Sequence, residues 1–83
     1  MSDPQIVARF AKNTMEDVVV ALDTFRNVPL IDVRVHASFS TPGAERKPTK
    51  KGISLKRELL PDLIEALRSA SAAIEAEGKG RAL

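Results

Sequence analysis

The chain has no cysteine, no tryptophan and no tyrosine among its 83 residues. Without cysteine there is neither a disulfide framework nor a thiolate metal site, a composition that fits a reducing compartment. Phe10, Phe25 and Phe39 are its whole aromatic content, so any platform for stacking planar ligands must be thin. The lone histidine, His36, has no second imidazole with which to share a metal ion. No apolar run approaches the ~20 residues that cross a bilayer, and the opening M-S-D-P-Q lacks the basic start and apolar core of a signal peptide. A soluble, intracellular protein without membrane contact is expected. No G-x-x-x-x-G-K-[ST] phosphate loop occurs, Ser38, Ser40 and Ser54 stand in no nucleophile elbow, and Asp32 is a lone carboxylate. An enzyme needs a constellation of such groups, so no catalytic residue, metal or cofactor is expected.

What the chain does have is concentrated cationic charge. Six basic residues, Arg46, Lys47, Lys50, Lys51, Lys56 and Arg57, fall within twelve positions that contain no acidic residue. Subtracting these six from the formal net charge of +2 leaves −4 on the rest of the chain. The molecule is therefore polarised, and one small surface should hold most of its positive potential. Such a surface suits a polyanion. At 83 residues the chain is a single small domain, for which burying enough apolar surface as a monomer is marginal.

The segment Ile6 to Asn13 is compatible with a short strand. Val18 to Leu22, V-V-V-A-L, is β-branched and too short for an independent helix, so it reads as a buried strand closed by a turn over Asp23 to Asn27. Leu30 to His36 is the clearest strand, because Ile31, Val33 and Val35 alternate with Asp32, Arg34 and His36. Ala37 to Thr41 continues it or begins another, and Pro42-Gly43 reads as a turn. Glu45 to Lys51 is too polar for a core and reads as a basic turn, after which Gly52 admits a special backbone conformation and Ile53 to Leu55 resume strand character. From about Arg57 to Glu77 the apolar residues Leu60, Leu63, Ile64, Leu67, Ala70 and Ile74 recur at helical spacing. Four short strands followed by one C-terminal amphipathic helix define an α+β class in which the helix is available to cover one sheet face. That helix is longer than such a sheet requires, which leaves Leu60, Leu63, Leu67 and Ile74 as candidates for a two-fold interface with a second copy.

Val20-Ala21-Leu22, Phe25-Arg26, Leu30-Ile31-Asp32-Val33-Arg34 and Lys47-Pro48-Thr49-Lys50-Lys51-Gly52-Ile53-Ser54-Leu55 resemble, in order, the positive cofactor 4 family of transcriptional coactivators. The likeness is to its small bacterial members, which carry L-I-D-V-R, P-T-K-K-G-I-S-L and then E-L-L-P-x-L-I-x-A-L, here Glu58 to Leu67. It covers Val18 to Ala70. The resemblance implies a four-stranded antiparallel sheet plus one helix, a homodimer, and single-stranded DNA held along basic β-surfaces. By matching position, Phe25 would stack on a base, Arg26 would meet the backbone at the adjacent turn, and Arg34 would lie on the nucleic-acid face. Lys47, Lys50, Lys51 and Gly52 would form the phosphate-gripping turn, and the helix would supply the dimer contact; Arg46, from the same basic run, is a further nucleic-acid-binding candidate. Phe39 stands near where members place large aromatics and is a candidate second stacker. Glu16 and Asp17 stand where members often place cations.

The domain is expected over 16–77, with a partly flexible extension at 1–15 and a tail at 78–83. Its expected function is sequence-tolerant binding of single-stranded DNA, or RNA, in transcription or in protecting exposed strands, in a cytoplasmic, nucleoid-associated setting. The rival expectation is a basic adaptor that docks on the transcription machinery without touching DNA.

Overall fold

The structure, a computed structural model, describes residues 4–38 and 45–80, the last two by their backbone alone. Phe39, the Pro42-Gly43 turn and the end of the chain from Arg81 lie outside the described residues. Four strands, β1 (Gln5–Ala11), β2 (Glu16–Phe25), β3 (Val28–Ala37) and β4 (Lys47–Lys56), form one antiparallel sheet in the order β1-β2-β3-β4. A 3₁₀ turn over Arg57–Leu59 leads into the helix α1 (Leu60–Gly80).

The strands β2 and β3 are longer than their apolar runs. Pairing continues through Asp23↔Leu30, Thr24↔Pro29 and Phe25↔Val28, so the turn expected over Asp23 to Asn27 shrinks to Arg26 and Asn27. Both turn residues have positive φ, 51° and 67°, the backbone sign of a two-residue hairpin whose twist matches its strands. A larger correction concerns Glu45 to Lys51. The basic segment is not a turn, because Lys47 to Lys51 are the first half of β4, with Lys47 opposite Ala37 and Pro48 opposite His36. An edge strand needs no apolar alternation, and pairing to β3 overrides the low β-propensity of lysine.

A register shift interrupts this pairing between Arg34 and His36. There the Thr49 hydroxyl donates to the Val35 carbonyl (2.8 Å) and accepts from the Lys51 N–H (3.1 Å), holding the irregular stretch in place. Gly52 ends it with φ 154°, directly against β3: a Cβ there would lie 2.4 Å from the Val33 carbonyl oxygen. Only glycine fits so close an approach.

The register separates the sheet's faces. One carries Ala8, Phe10, Val18, Val20, Leu22, Ile31, Val33, Ile53 and Leu55, and is apolar. The other carries Arg9, Asp17, Val19, Ala21, Asp32, Arg34, His36 and Ser54. Val19, the most buried large side chain at 1% exposure, lies on the polar face with Arg9 and Arg34 as its cross-strand neighbours.

The helix leaves on the apolar side but covers it poorly. Its first two turns face Phe10, Val18, Val20, Ile31, Val33 and Ile53 across a cavity of about 470 Å³. Only Leu60 and Leu63 of the described helical side chains are partly covered, whereas Leu67 and Ile74 are 60% and 67% exposed. Arg57 anchors the junction, donating to the Leu30 carbonyl (3.0 Å) and the Asp23 carbonyl (3.1 Å). The helix also runs through Gly78 to Gly80, since each helical glycine costs only about 1 kcal/mol against alanine. The radius of gyration is 15.8 Å. A compact chain of this length would have about 12 Å.

Candidate nucleic-acid interface

The β2–β3 hairpin places Phe25 and Arg26 at one end of the sheet. Phe25 is 60% exposed, and the Arg26 guanidinium sits 5.1 Å from its ring centroid, a cation over an open aromatic face. Lys47, Lys50 and Lys51 lie at the other end, along β4. From Val28, opposite Phe25, to Ala37, opposite Lys47, the 10 residues of β3 span roughly 30 Å. The two groups are therefore not one compact site. A single ligand touching both must be long and must run along the strands.

Ion pairing decides which cations remain available. Arg46 is fixed at the far corner, its Nη1 2.6 Å from Asp17 Oδ1 and its Nη2 donating to the Thr14 carbonyl at 2.6 Å. Asp17 also meets Arg9 at 3.4 Å. Glu16 takes Lys12 at 3.0 Å and an amide hydrogen bond from Asn13 at 2.8 Å, and lies 3.9 Å from Lys51. The Asn13 and Lys12 hydrogen bonds hold the Glu16 carboxyl below its usual range. The two acidic residues that begin β2 thus draw on the neighbouring cations. Lys47, Lys50 and Lys56 have no ion pair among the described residues, and the Lys51 side chain remains 73% exposed.

Arg34 is held more firmly than a strand-face arginine need be. Its Nη2 lies 2.8 Å from Asp32 Oδ1, its Nε donates to Oδ2 at 3.0 Å, and its Nη1 donates to the Thr49 carbonyl at 3.0 Å. Ser54 donates to Asp32 Oδ1 at 2.6 Å. Burial alone would raise the Asp32 pKa, but the hydrogen bonds from Arg34 and Ser54 and the Arg34 charge outweigh it and hold it low. Arg34 is thereby presented in one orientation, with its side chain 23% exposed. His36, on the same face, is pushed below its ordinary value first by burial and then by Arg9; Asp32 pulls the other way, Arg34 adds to the depression, and Asp17 opposes it least.

Of the residues singled out from sequence, Phe25 and Arg26 come together at the hairpin tip. Lys47, Lys50, Lys51 and Gly52 share β4, with Gly52 opposite Arg34. Arg46 stands apart in its pair with Asp17. Arg9 and Asp17 were not candidates, and nothing in their sequence spacing places them beside Arg46. Among the described residues no cluster of histidine and carboxylate groups suits a metal ion, and no helix is long and apolar enough to cross a membrane.

A single open antiparallel sheet with a cationic strand at one edge, followed by one projecting helix, defines a small α+β class of protein. The pattern of the family described as Transcriptional Coactivator p15 (PC4) matches residues 12–66, and the chain belongs to that family. Two solved structures are similar, both of BPSL1147, a PC4 homolog from Burkholderia pseudomallei. Its tetragonal crystal form is 26% identical with a TM-score of 0.75, over 83% of this chain and 98% of that one. The orthorhombic form is 25% identical with a TM-score of 0.74, over 86% and 93%. No curated protein matches. Family and fold together make this a small bacterial-type PC4-like protein.

Proposed function

We propose that the protein is a homodimer that binds single-stranded DNA with little regard to sequence, and that it serves transcription or shields exposed strands in the nucleoid. The observation that carries this reading is the run of available lysines along β4, aligned with the strand direction and ending near the open Phe25–Arg26 tip. Lysines so placed neutralise successive phosphates and release their counterions, while an exposed ring stacks on any base. A double strand keeps its bases stacked inside and offers nothing to Phe25. Membership of a coactivator family supports a role in transcription.

The dimer is supported by the helix. A radius of gyration well above that of a compact chain, and Leu67 and Ile74 more than half exposed, are what one half of an obligate pair looks like in isolation. The candidate contact residues are Leu60, Leu63, Leu67 and Ile74.

The test is fluorescence anisotropy with a labelled single strand and the matching duplex, titrated at several salt concentrations. Tighter binding of the single strand, weakening steeply with salt, is expected. If neither nucleic acid binds at low salt, the reading falls and the adaptor role, docking on acidic protein partners through β4, replaces it.

A further inference from the structure

Glu16 and Asp17 are neighbours at the start of β2, and strand alternation sends their side chains to opposite sides of the sheet. Asp17 shares the polar face with Val19 and Ala21, Glu16 the apolar side with Val18 and Val20. Each gathers two cations, but the two clusters differ in what they leave free. Asp17 is nearly buried, and the Arg46 it holds at 2.6 Å is also tied to the Thr14 carbonyl, so this cluster is built into the sheet. Glu16 instead meets the ends of two exposed side chains, Lys12 and Lys51. Its own position is set locally: its carbonyl accepts from the Lys12 and Asn13 N–H groups at 2.9 and 3.2 Å, and the Asn13 amide donates to its carboxylate.

Lys51 lies on the edge strand next to Gly52, the partner of Arg34, and its side chain stands with Lys12 over Val18, Val33 and Val35 on the apolar side. It reaches across β3 to approach Glu16 on β2. Phe25 and Arg34 fall, by the same alternation, on the polar side. Glu16 therefore draws Lys51 away from the face that carries Phe25 and Arg34. At 3.9 Å the contact is beyond hydrogen-bond range, and an exposed pair of this length opens readily.

We propose that Glu16 is an internal competitor for the phosphate backbone: it holds Lys51 in the free protein, and a bound strand must take Lys51 from it. This deepens the single-strand reading and rests on it. Lys51 is a flexible side chain at the sheet edge, so once released it can turn to a phosphate passing along β4. The Glu16 carboxylate stays behind, anchored by Asn13 and Lys12, and reclaims Lys51 when the strand leaves. Glu16 thereby limits affinity and keeps binding reversible, while Asp17 only supports the fold.

Anisotropy titrations with labelled oligo-dT compare the unaltered protein, Glu16→Gln, Lys51→Ala and the double variant at one low salt concentration. Glu16→Gln keeps an acceptor for Asn13 and is expected to bind about two- to fivefold more tightly, the scale of one exposed ion pair. In the Lys51→Ala background the same substitution is expected to lose most of that gain, because the lysine it would release is gone. A thermal melt of each variant establishes folding, and Glu16→Thr, a residue that strands accommodate, repeats the measurement by a second route. Unchanged affinity in the folded Glu16 variants overturns the competitor while leaving single-strand binding intact. So does a gain that is undiminished without Lys51, which would reflect net charge alone. Failure of the unaltered protein to bind the strand overturns both.

Discussion

Asp32 and Arg34, two residues apart on β3, close a two-point ion pair on the polar face, with Nη2 2.8 Å from Oδ1 and Nε 3.0 Å from Oδ2. Because Ser54 on β4 donates to the same Oδ1, the pair also ties β3 to β4 through side chains. Asp32→Asn should therefore loosen the sheet as well as free Arg34. A cost of about 1–2 kcal/mol is expected for a partly buried charged hydrogen-bond pair. In a domain of this size that lowers the melting temperature by roughly 5–15 °C. An unchanged melt would mean that the pair only orients Arg34.

Gly52→Ala sets a methyl group against the Val33 carbonyl oxygen and the Arg34 Cα, at 2.4 and 2.7 Å before any relaxation. Both contacts are backbone, so neither can swing aside. Destabilisation of about 2–3 kcal/mol is expected in urea titrations. Full stability in this variant would show that β4 can pair with β3 at a greater distance.

The two ends of the proposed nucleic-acid surface should fail differently. Phe25→Ala removes an exposed ring, so it should leave the melt unchanged and weaken single-strand binding by about 1–3 kcal/mol for the base it stacks, with the salt slope intact. Lys50→Ala combined with Lys51→Ala should instead shallow the slope by about 1.4, the contribution of two phosphate contacts on a single strand. An unchanged slope removes these lysines from the interface.

Leu67 is a direct probe of the proposed dimer. At 60% exposure in one chain, Leu67→Glu would cost an isolated monomer no more than about 0.5 kcal/mol. Against a partner it places a charge in an apolar contact. Sedimentation velocity should give a dimer for the unaltered protein and a monomer for the variant. A monomer in both cases would refute the two-fold interface.

Acid should destabilise the fold in two steps. His36 binds its proton near 6.5 when unfolded but only at lower pH when folded, so the unfolded state holds more protons between these values. Stability is therefore complete above 6.5 and falls as pH drops through the folded value of His36. Asp32, whose folded pKa lies below its ordinary 3.8, contributes stability above that value which is lost as pH falls further. Urea unfolding at about pH 8 and pH 5 should show a loss that His36→Gln removes. Parallel losses in both proteins would assign the first step elsewhere.

The alternation Ile31, Val33, Val35 against Asp32, Arg34, His36 makes β3 legible, because a strand paired on both sides must sort its side chains between two faces. The helical recurrence from Leu60 to Ile74 is legible for a similar reason. Lys47 to Lys51 conceal a strand because an edge strand is specified by its neighbour's backbone, and neither Pro48 nor the lysines announce it. Extending β2 to Phe25 likewise depends on pairing with Val28 rather than on its own residues. Phe25 and the β4 lysines could be picked out by residue type and motif. Their separation by most of the length of β3 could not, nor could the capture of Arg46 by Asp17, a contact across 29 positions of sequence.

The sheet has two open edges, and they are guarded unequally. Along β4 the unpaired backbone is flanked by Lys47, Pro48, Lys50, Lys51 and Lys56, charges and a proline that make a poor template for a further strand. These lysines thus also act as gatekeepers against strand addition and aggregation. Neutralising them, by substitution or by a bound polyanion, removes that protection, so alanine variants of β4 should be handled at low concentration. The β1 edge, with Ile6, Val7 and Phe10 exposed and Arg9 drawn towards Asp17, has far less of the same protection.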